Sequence, residues 1–286
     1  MRVEILGSGG AVAVPRPGYH NRYNDEARER GVPWQRRGPA VFFHDANILF
    51  DTPEDVAESL NRAEIDTVRA CFYSHWHPDH VMGRRVFEQM NWNLRGGESR
   101  CTDVYVPERV RQDMKKYLGT WSHLDYMESL GIVKLHVIAP GTSVVIDGFT
   151  ITPLPLAEEY VFAYLIERDS TRIWIAMDEL VGWQPDEALK GLDLAVLPSG
   201  VCEFHPLTGA RNIPADEPVL QSEMRFERTL ECIRELAPRH AVLIHLDEPD
   251  GVTYDDGLVL SAKYRADGLP ITFGWDGLIV DTNQPR

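Results

Sequence analysis

The segment Ser74-His75-Trp76-His77-Pro78-Asp79-His80 concentrates the chain's capacity for chemistry. His75, His77, Asp79 and His80 can each bind a metal, and the 286 residues contain only ten histidines. Imidazole and carboxylate together make a nitrogen–oxygen site suited to zinc, manganese or iron. The preceding run Val68-Arg69-Ala70-Cys71-Phe72-Tyr73 reads as a buried strand. Side chains alternate along extended chain, so His75 and His77 project to one side. Pro78 fits the first turn of a helix, where its missing N–H costs nothing. Asp79 and His80 then leave that turn in different directions. One pair can serve one ion and the second pair a neighbouring ion.

Further ligand candidates stand where other apolar strands stop. The run 173–177 stops at Asp178, and the run 241–244 stops at His245. A polar residue just past a buried strand is a usual placement for a site residue in α/β folds. Each also has a structural reading, Asp178 as the cap of a following turn and His245 as an interior histidine. A histidine motif that needs more ligands favours the ligand reading for both.

These residues need strands and turns to position them. Strand character appears at 3–6, 40–43, 47–50, 104–106, 133–138, 143–146, 149–154, 162–167, 172–176, 194–197, 241–244, 271–273 and 278–280. Asp147-Gly148 and Asp276-Gly277 are hairpin turns. Helices are expected at 53–63, with Thr52 as cap and Pro53 in the first turn, and at 81–95, 107–118, 183–189, 223–236 and 254–265. Residues 15–39, rich in Pro, Gly and Arg, read as a long loop. The order neither alternates strictly nor segregates, which suits an α/β protein with two packed sheets and helices outside.

Composition narrows the function classes. Apolar residues make up 43% of the chain, ordinary for a globular protein. No run of about 18 apolar residues exists, so no membrane span is expected. Residues 1–7 enter a strand at once, without a signal peptide's charged start and long apolar middle. Cys71, Cys101, Cys202 and Cys232 are scattered, which fits reduced thiols and a cytoplasmic location. The formal charge of −15 opposes binding to nucleic-acid backbones. Arg109, Arg111, Lys115 and Lys116 form a local basic run that reads as a solvated helix face. Ser199-Gly200 makes no Gly-x-Ser-x-Gly elbow, which disfavours a serine hydrolase. Gly7-Ser8-Gly9-Gly10 lacks a following Lys-Ser or Lys-Thr, and reads as a tight turn near the metals rather than a phosphate loop. Trp76, Trp92 and Trp121 read as packing residues or as the lining of a pocket.

The pattern His-x-His-x-Asp-His after an apolar strand resembles the metallo-β-lactamase superfamily. The segment Gly7-Ser8-Gly9-Gly10-Ala11-Val12-Ala13-Val14-Pro15 is similar to the opening of the PhnP branch, the phosphoribosyl cyclic phosphate phosphodiesterases. Thr152-Pro153-Leu154-Pro155-Leu156 and Gly274-Trp275-Asp276-Gly277 carry the same likeness. The resemblance runs through nearly the whole chain. It implies a four-layer αββα sandwich, one domain over residues 1–286, and a two-metal site on one edge. It also implies roles. His75 and His77 would hold one ion, Asp79, His80 and His245 the other, and Asp178 would bridge them. The ions would be manganese or zinc, or iron. A water or hydroxide between ions about 3.5–4 Å apart would attack phosphorus. The substrate would be a small phosphodiester, cyclic in this branch, and the protein a homodimer. Hydrolysis of another ester, a lactone or a thioester on the same scaffold is the alternative, as is a metal-binding accessory protein without turnover.

The chain departs from the branch at three places. A histidine two residues beyond Leu-Pro-Leu is replaced by Glu158, which keeps a sound set of ligands with more negative charge. The branch's structural zinc in the N-terminal loop would fall on Tyr19, Asn21, Asn24 and Glu248, none of them a thiolate or imidazole, so no structural zinc is expected. The branch's leaving-group histidine falls nearest Glu223, which reads either as a general acid or as a helix-start carboxylate. His205, in the long loop 198–220, is an alternative acid or an exposed loop histidine.

Overall fold

A computed structural model describes residues 1–139 and 141–283. The first sheet contains β1 (Arg2–Gly7), β2 (Ala40–Phe43), β3 (Ile48–Phe50), β4 (Ala70–Phe72), β5 (Thr102–Pro107) and β6 (Val133–Ile138). The second contains β7 (Val144–Ile146), β8 (Phe149–Pro155), β9 (Phe162–Arg168), β10 (Thr171–Ile175), β11 (Leu194–Pro198), β12 (Ala241–Ile244) and β13 (Ile271–Phe273), and β14 (Leu278–Asp281) returns to the first. The sheet orders are β14-β1-β2-β3-β4-β5-β6 and β13-β12-β11-β10-β9-β8-β7. The chain therefore passes between sheets at one edge, from β6 to β7, and comes back at the other, from β13 to β14.

The strands alternate as period 2 requires. Ile48 and Phe50 of β3 and Ala70 and Phe72 of β4 face Tyr164, Ile166, Ile173 and Ile175 of the opposite sheet in the central core. Leu49 and Cys71, one residue out of phase, face helices instead. After α1 (Arg22–Arg30), the helices α2 (Val56–Arg62), α3 (Pro78–Val81), α4 (Val86–Asn91), α5 (Glu108–Lys116) and α6 (Thr120–Ser129) follow, and residues of α2, α4, α5 and α6 cover this outer face. After α7 (Val219–Ser222), α8 (Phe226–Leu236) and α9 (Tyr254–Ala266) cover the outer face of the second sheet. The layers are thus helix, sheet, sheet, helix, the αββα sandwich that the resemblance implied.

Several local expectations are corrected. Residues 15–39 contain a helix, α1, capped by the Asn21 side chain and closed at Gly31, whose φ is 69°. Its only buried residues are Asn24 and Ala27, so hydrophobic periodicity had nothing to register. The single helix expected over 81–95 is a 3-10 turn, Met82–Arg85, followed by α4. Residues 183–189 hold only a 3-10 turn, Glu187–Leu189, capped by Asp186. The helix expected over 223–236 begins only at Phe226, because Arg225 bridges to Val201 as extended chain. The α2 cap position is Asp55, while the Thr52 hydroxyl pairs with Tyr73 Oη at 2.9 Å. The basic face of α5 is solvated and self-paired, with Arg109 on Asp113 and Arg111 on Glu108.

Parallel pairing sets the site's edge. β3, β4, β5 and β6 run parallel, as do β10, β11, β12 and β13. Asp51 and the histidine motif follow β3 and β4. Asp178 and His245 follow β10 and β12. Just after the motif, Gly83 donates its N–H to Thr52 O at 2.8 Å, and a Cβ there would collide with the Pro53 carbonyl. Gly83→Ala should therefore displace the turn and destabilise the fold by about 1–3 kcal/mol, read as a lower denaturant midpoint at unchanged m-value.

Candidate metal centre

Two groups of ligand atoms form at the strand ends. His75, His77 and Asp178 make one, and Asp79, His80 and His245 the other, with the donor atoms of each group within 4.8 Å of one another. Asp178 stands between them. Its Oδ2 lies 3.1 Å from His75 Nε2 and 3.5 Å from His80 Nε2, and its Oδ1 lies 3.2 Å from His245 Nε2. Asp79 Oδ2 lies 3.3 Å from His80 Nε2 and 3.6 Å from His245 Nε2. The Nε2 atoms of His75, His80 and His245 are buried without a hydrogen bond. Buried polar atoms are seldom left so. Three imidazole nitrogens converging on carboxylate oxygens are the donor set that a divalent cation satisfies.

The other ring nitrogens are held by the protein. Asp51, fully buried with φ 60°, accepts from Ser74 N at 2.7 Å and from the Ser74 hydroxyl at 2.5 Å. Its Oδ2 also lies 2.8 Å from His80 Nδ1. Ser74 Oγ lies 3.0 Å from His75 Nδ1. A carboxylate behind a ligating histidine fixes the ring and leaves Nε2 to the metal. Sequence reading passed over Asp51, although the signal was present: it follows an apolar strand as Asp178 and His245 do. His245 has φ 55°, and Gly10 packs so close to its imidazole that a Cβ on Gly10 would overlap Nδ1. The glycine-rich turn is thus a wall against the His245 ring.

Charge follows this geometry. Burial alone would raise Asp178, but His245, His75 and His80 facing it hold its carboxyl well below the usual range. Burial likewise opposes ionisation of Asp79, and His80 and His245 outweigh it in the same direction. Burial would lower His80 and His245. Asp79, Asp178 and Asp51 nevertheless raise His80 well above its ordinary value, and Asp178 with Asp79 and Asp247 raises His245 to about 10. His77 lacks such pairing, and burial beside His75 lowers it to about 4.

The centre opens into a cavity of about 650 Å³ whose lining includes His77, Asp79, Asp178 and His245. Glu158 lines the cavity but stands outside both three-residue groups, exposed, with its carboxylate hydrogen-bonded to Tyr160. Glu223 also lines it, in extended chain just after α7 rather than in a helix. It hydrogen-bonds Glu179, which sequence reading missed and which accepts from Met224 N at 3.2 Å. Burial, with Glu223 and Asp178 nearby, raises Glu179 to about 9. His205 is placed elsewhere. It is buried, does not line the cavity, and its Nδ1 accepts from Leu207 N at 3.2 Å, so it is neither an exposed loop histidine nor a group in contact with the cavity. Trp76 stacks on Tyr117 at 4.1 Å, and Trp121 is buried in the outer core.

The positions corresponding to the branch's structural zinc partly converge. Asn21 and Asn24 donate their side-chain amides to Glu248 Oε1 at 2.5 and 2.9 Å. The Tyr19 ring lies under the Arg16 guanidinium.

Comparison with known proteins agrees with this architecture. Residues 46–246 match the beta-lactamase superfamily domain. Among solved structures, a diphosphatase from the PhnP family superposes with a TM-score of 0.69 at 20% identity, covering 98% of this chain and 97% of that one. Zinc-bound PqqB from Methylobacterium extorquens gives 0.73 at 16% identity, over 98% and 100%. The short form of human tRNase Z gives 0.64 at 15% identity, over 99% and 100%. No curated protein sequence matches the chain. With more than half of its 286 residues spanned by that match and its ligand groups on the edge of an αββα sandwich, the chain belongs to the beta-lactamase superfamily.

Proposed function

We propose that the protein is a metal-dependent hydrolase acting on a phosphodiester. The observation that carries this reading is Asp178, whose two oxygens face histidines of different ligand groups. His75, His77 and Asp178 would hold one ion, and Asp79, His80 and His245 the second, with Asp178 shared. A metal pair supplies Lewis acidity and a nucleophile at neutral pH. Asp51 and Ser74 keep His80 and His75 turned toward the gap. Glu158 shares the cavity wall with His77 and Asp178 and would be the further ligand of the first group. A hydrogen bond between the Glu179 and Glu223 carboxyls requires one proton between them, and this pair sits in the cavity wall, placed to return a proton to a leaving group. Hydrolysis of a carboxylic ester, lactone or thioester is the second reading. It is favoured by a cavity wall rich in carboxylates, among them Glu158, Glu179, Glu217 and Glu223, which suits a less anionic substrate.

Purified protein with manganese or zinc should turn over bis(p-nitrophenyl) phosphate, and His77→Ala should lower kcat at least about 100-fold. Turnover of carboxylic esters alone would favour the second reading, and bound metal without any turnover would favour an accessory role. Metal content tests Glu158. If it is a ligand, Glu158→Ala should bind less metal than the parent protein; equal content would remove it from the site.

The protonation pattern yields a separate expectation. In the metal-free protein the surroundings favour the imidazolium form of His80 and His245 and the neutral form of His77. Metal binding should release about one proton from each of these two imidazoliums, beyond the proton lost by a metal-bound water, measured by calorimetry in buffers of different ionisation enthalpy. His245→Ala should remove about one of them, and His77→Ala should leave the number unchanged. The sign for stability follows from the raised value. The His245 contribution to the metal-free fold is complete below about 6.5 and lost as pH rises through about 10. Metal affinity should rise over that interval.

A further inference from the structure

The segment 198–224 supplies much of the cavity wall, and its residues divide by side. Pro198, Val201, Ile213, Pro214, Val219 and Met224 line the cavity, beside Glu217 and Glu223. The segment's one lysine or arginine, Arg211, does not line it. Arg211 lies 4.4 Å over the exposed Phe204 ring and pairs with the buried Glu203 at 2.6 Å. The same Glu203 holds Arg225 at 2.9 Å, just beyond the segment. The wall is also fixed in place. Val201 donates to Met224 O at 2.8 Å and accepts from Phe226 N at 3.0 Å. Gly200, with φ 72°, packs so closely there that a Cβ would meet Met224 O at 2.7 Å. Asn212 donates its side-chain amide to Asp250 O at 2.5 Å, and Ile213 beside it is buried. An apolar wall held before substrate arrives binds hydrocarbon with little ordering of its own. The metal centre opens into the same cavity of about 650 Å³, which leaves room for a second group. A carboxylate or phosphate against this wall would lose water while facing Glu217 and Glu223, with no counter-charge from the segment. Arg16, the one lysine or arginine lining the cavity among the described residues, has a partner in Glu248 at 3.8 Å.

We infer that this wall binds an apolar, uncharged arm of the substrate, an alkyl or aryl group of the ester whose reacting end lies at the metals. The inference rests on the hydrolase reading and narrows it: the arm is a hydrocarbon, not the sugar phosphate of the branch that the chain resembles. Glu217 and Glu223 set specificity by exclusion, because they oppose an anionic arm.

Three p-nitrophenyl phosphodiesters test this on the metal-loaded protein, with methyl, hexyl or 5-carboxypentyl as the second arm. Relative to methyl, the hexyl arm should raise kcat/KM about 10- to 100-fold. The 5-carboxypentyl arm should lose most of that gain, and Glu217→Gln should restore part of it. Val219→Thr, close in shape and at a half-buried position, should shrink the hexyl-to-methyl ratio about 3- to 10-fold, and Ile213→Ala should act in the same direction. Equal kcat/KM for methyl and hexyl, a carboxypentyl arm that matches or exceeds hexyl, or a ratio unchanged in both wall variants would overturn the inference. Calorimetric binding of methyl-, hexyl- and 5-carboxypentylphosphonate, whose P–C bond is not hydrolysed, separates this outcome from failure of the hydrolase reading. A hexyl preference that depends on Val219, without turnover of any ester, would sink the hydrolase reading alone. Binding indifferent to the arm, or no binding, would sink the apolar site.

Discussion

Three buried imidazole nitrogens face two carboxylates across one small gap, and the surrounding structure keeps them there. Without a cation, such a gap needs protons: His80 and His245 hold them while Asp79 and Asp178 stay ionised. Cationic imidazoles therefore face the two carboxylates, which lets the site exist as a folded feature before metal arrives. Charges this deep would otherwise oppose folding by several kcal/mol each.

Orientation comes from one layer further out. Asp51 ties Ser74 and His80 to the end of β3, and Ser74 in turn reaches His75. The parallel pairing of β3 with β4 brings these residues side by side, so sheet register and ligand geometry are one constraint. On the second sheet, the same logic places Asp178 after β10 and His245 after β12, with β11 between them. A two-sheet sandwich supplies the centre from both sheets because strand ends of each reach the same edge.

The protein is acidic overall, and so is much of its cavity wall. Among the described residues, Arg16 is the one lysine or arginine in that wall. The Asn21–Asn24–Glu248 network shows how the N-terminal loop stays docked. Amide donors on one carboxylate oxygen join α1 to the segment after β12, and the second oxygen remains for Arg16. A hydrogen-bonded clamp also leaves the neighbouring guanidinium with a carboxylate partner, which a cluster of thiolates on zinc would not.

The sequence by itself determined two packed sheets with helices outside and the ligand candidates at the strand ends, and the family resemblance added their grouping. Apolar runs of period 2 marked the strands, and ligand residues stood directly after them, so local order carried the signal for His75, His77, Asp79, His80, Asp178 and His245. Helix α1 escaped because it buries only Asn24 and Ala27, and α8 appeared too long because the pairing of Arg225 with Val201 is not local. Only the tertiary structure decided which carboxylates matter around the centre. Asp51 meets His80 from 29 residues away, Glu179 meets Glu223 across two loops, and Arg16 meets Glu248 from the far end of the chain. It also removed His205 from the cavity by folding its ring onto the backbone of its own loop. Such contacts depend on how the sheets bring distant segments together, and no periodicity or spacing along the chain encodes that distance.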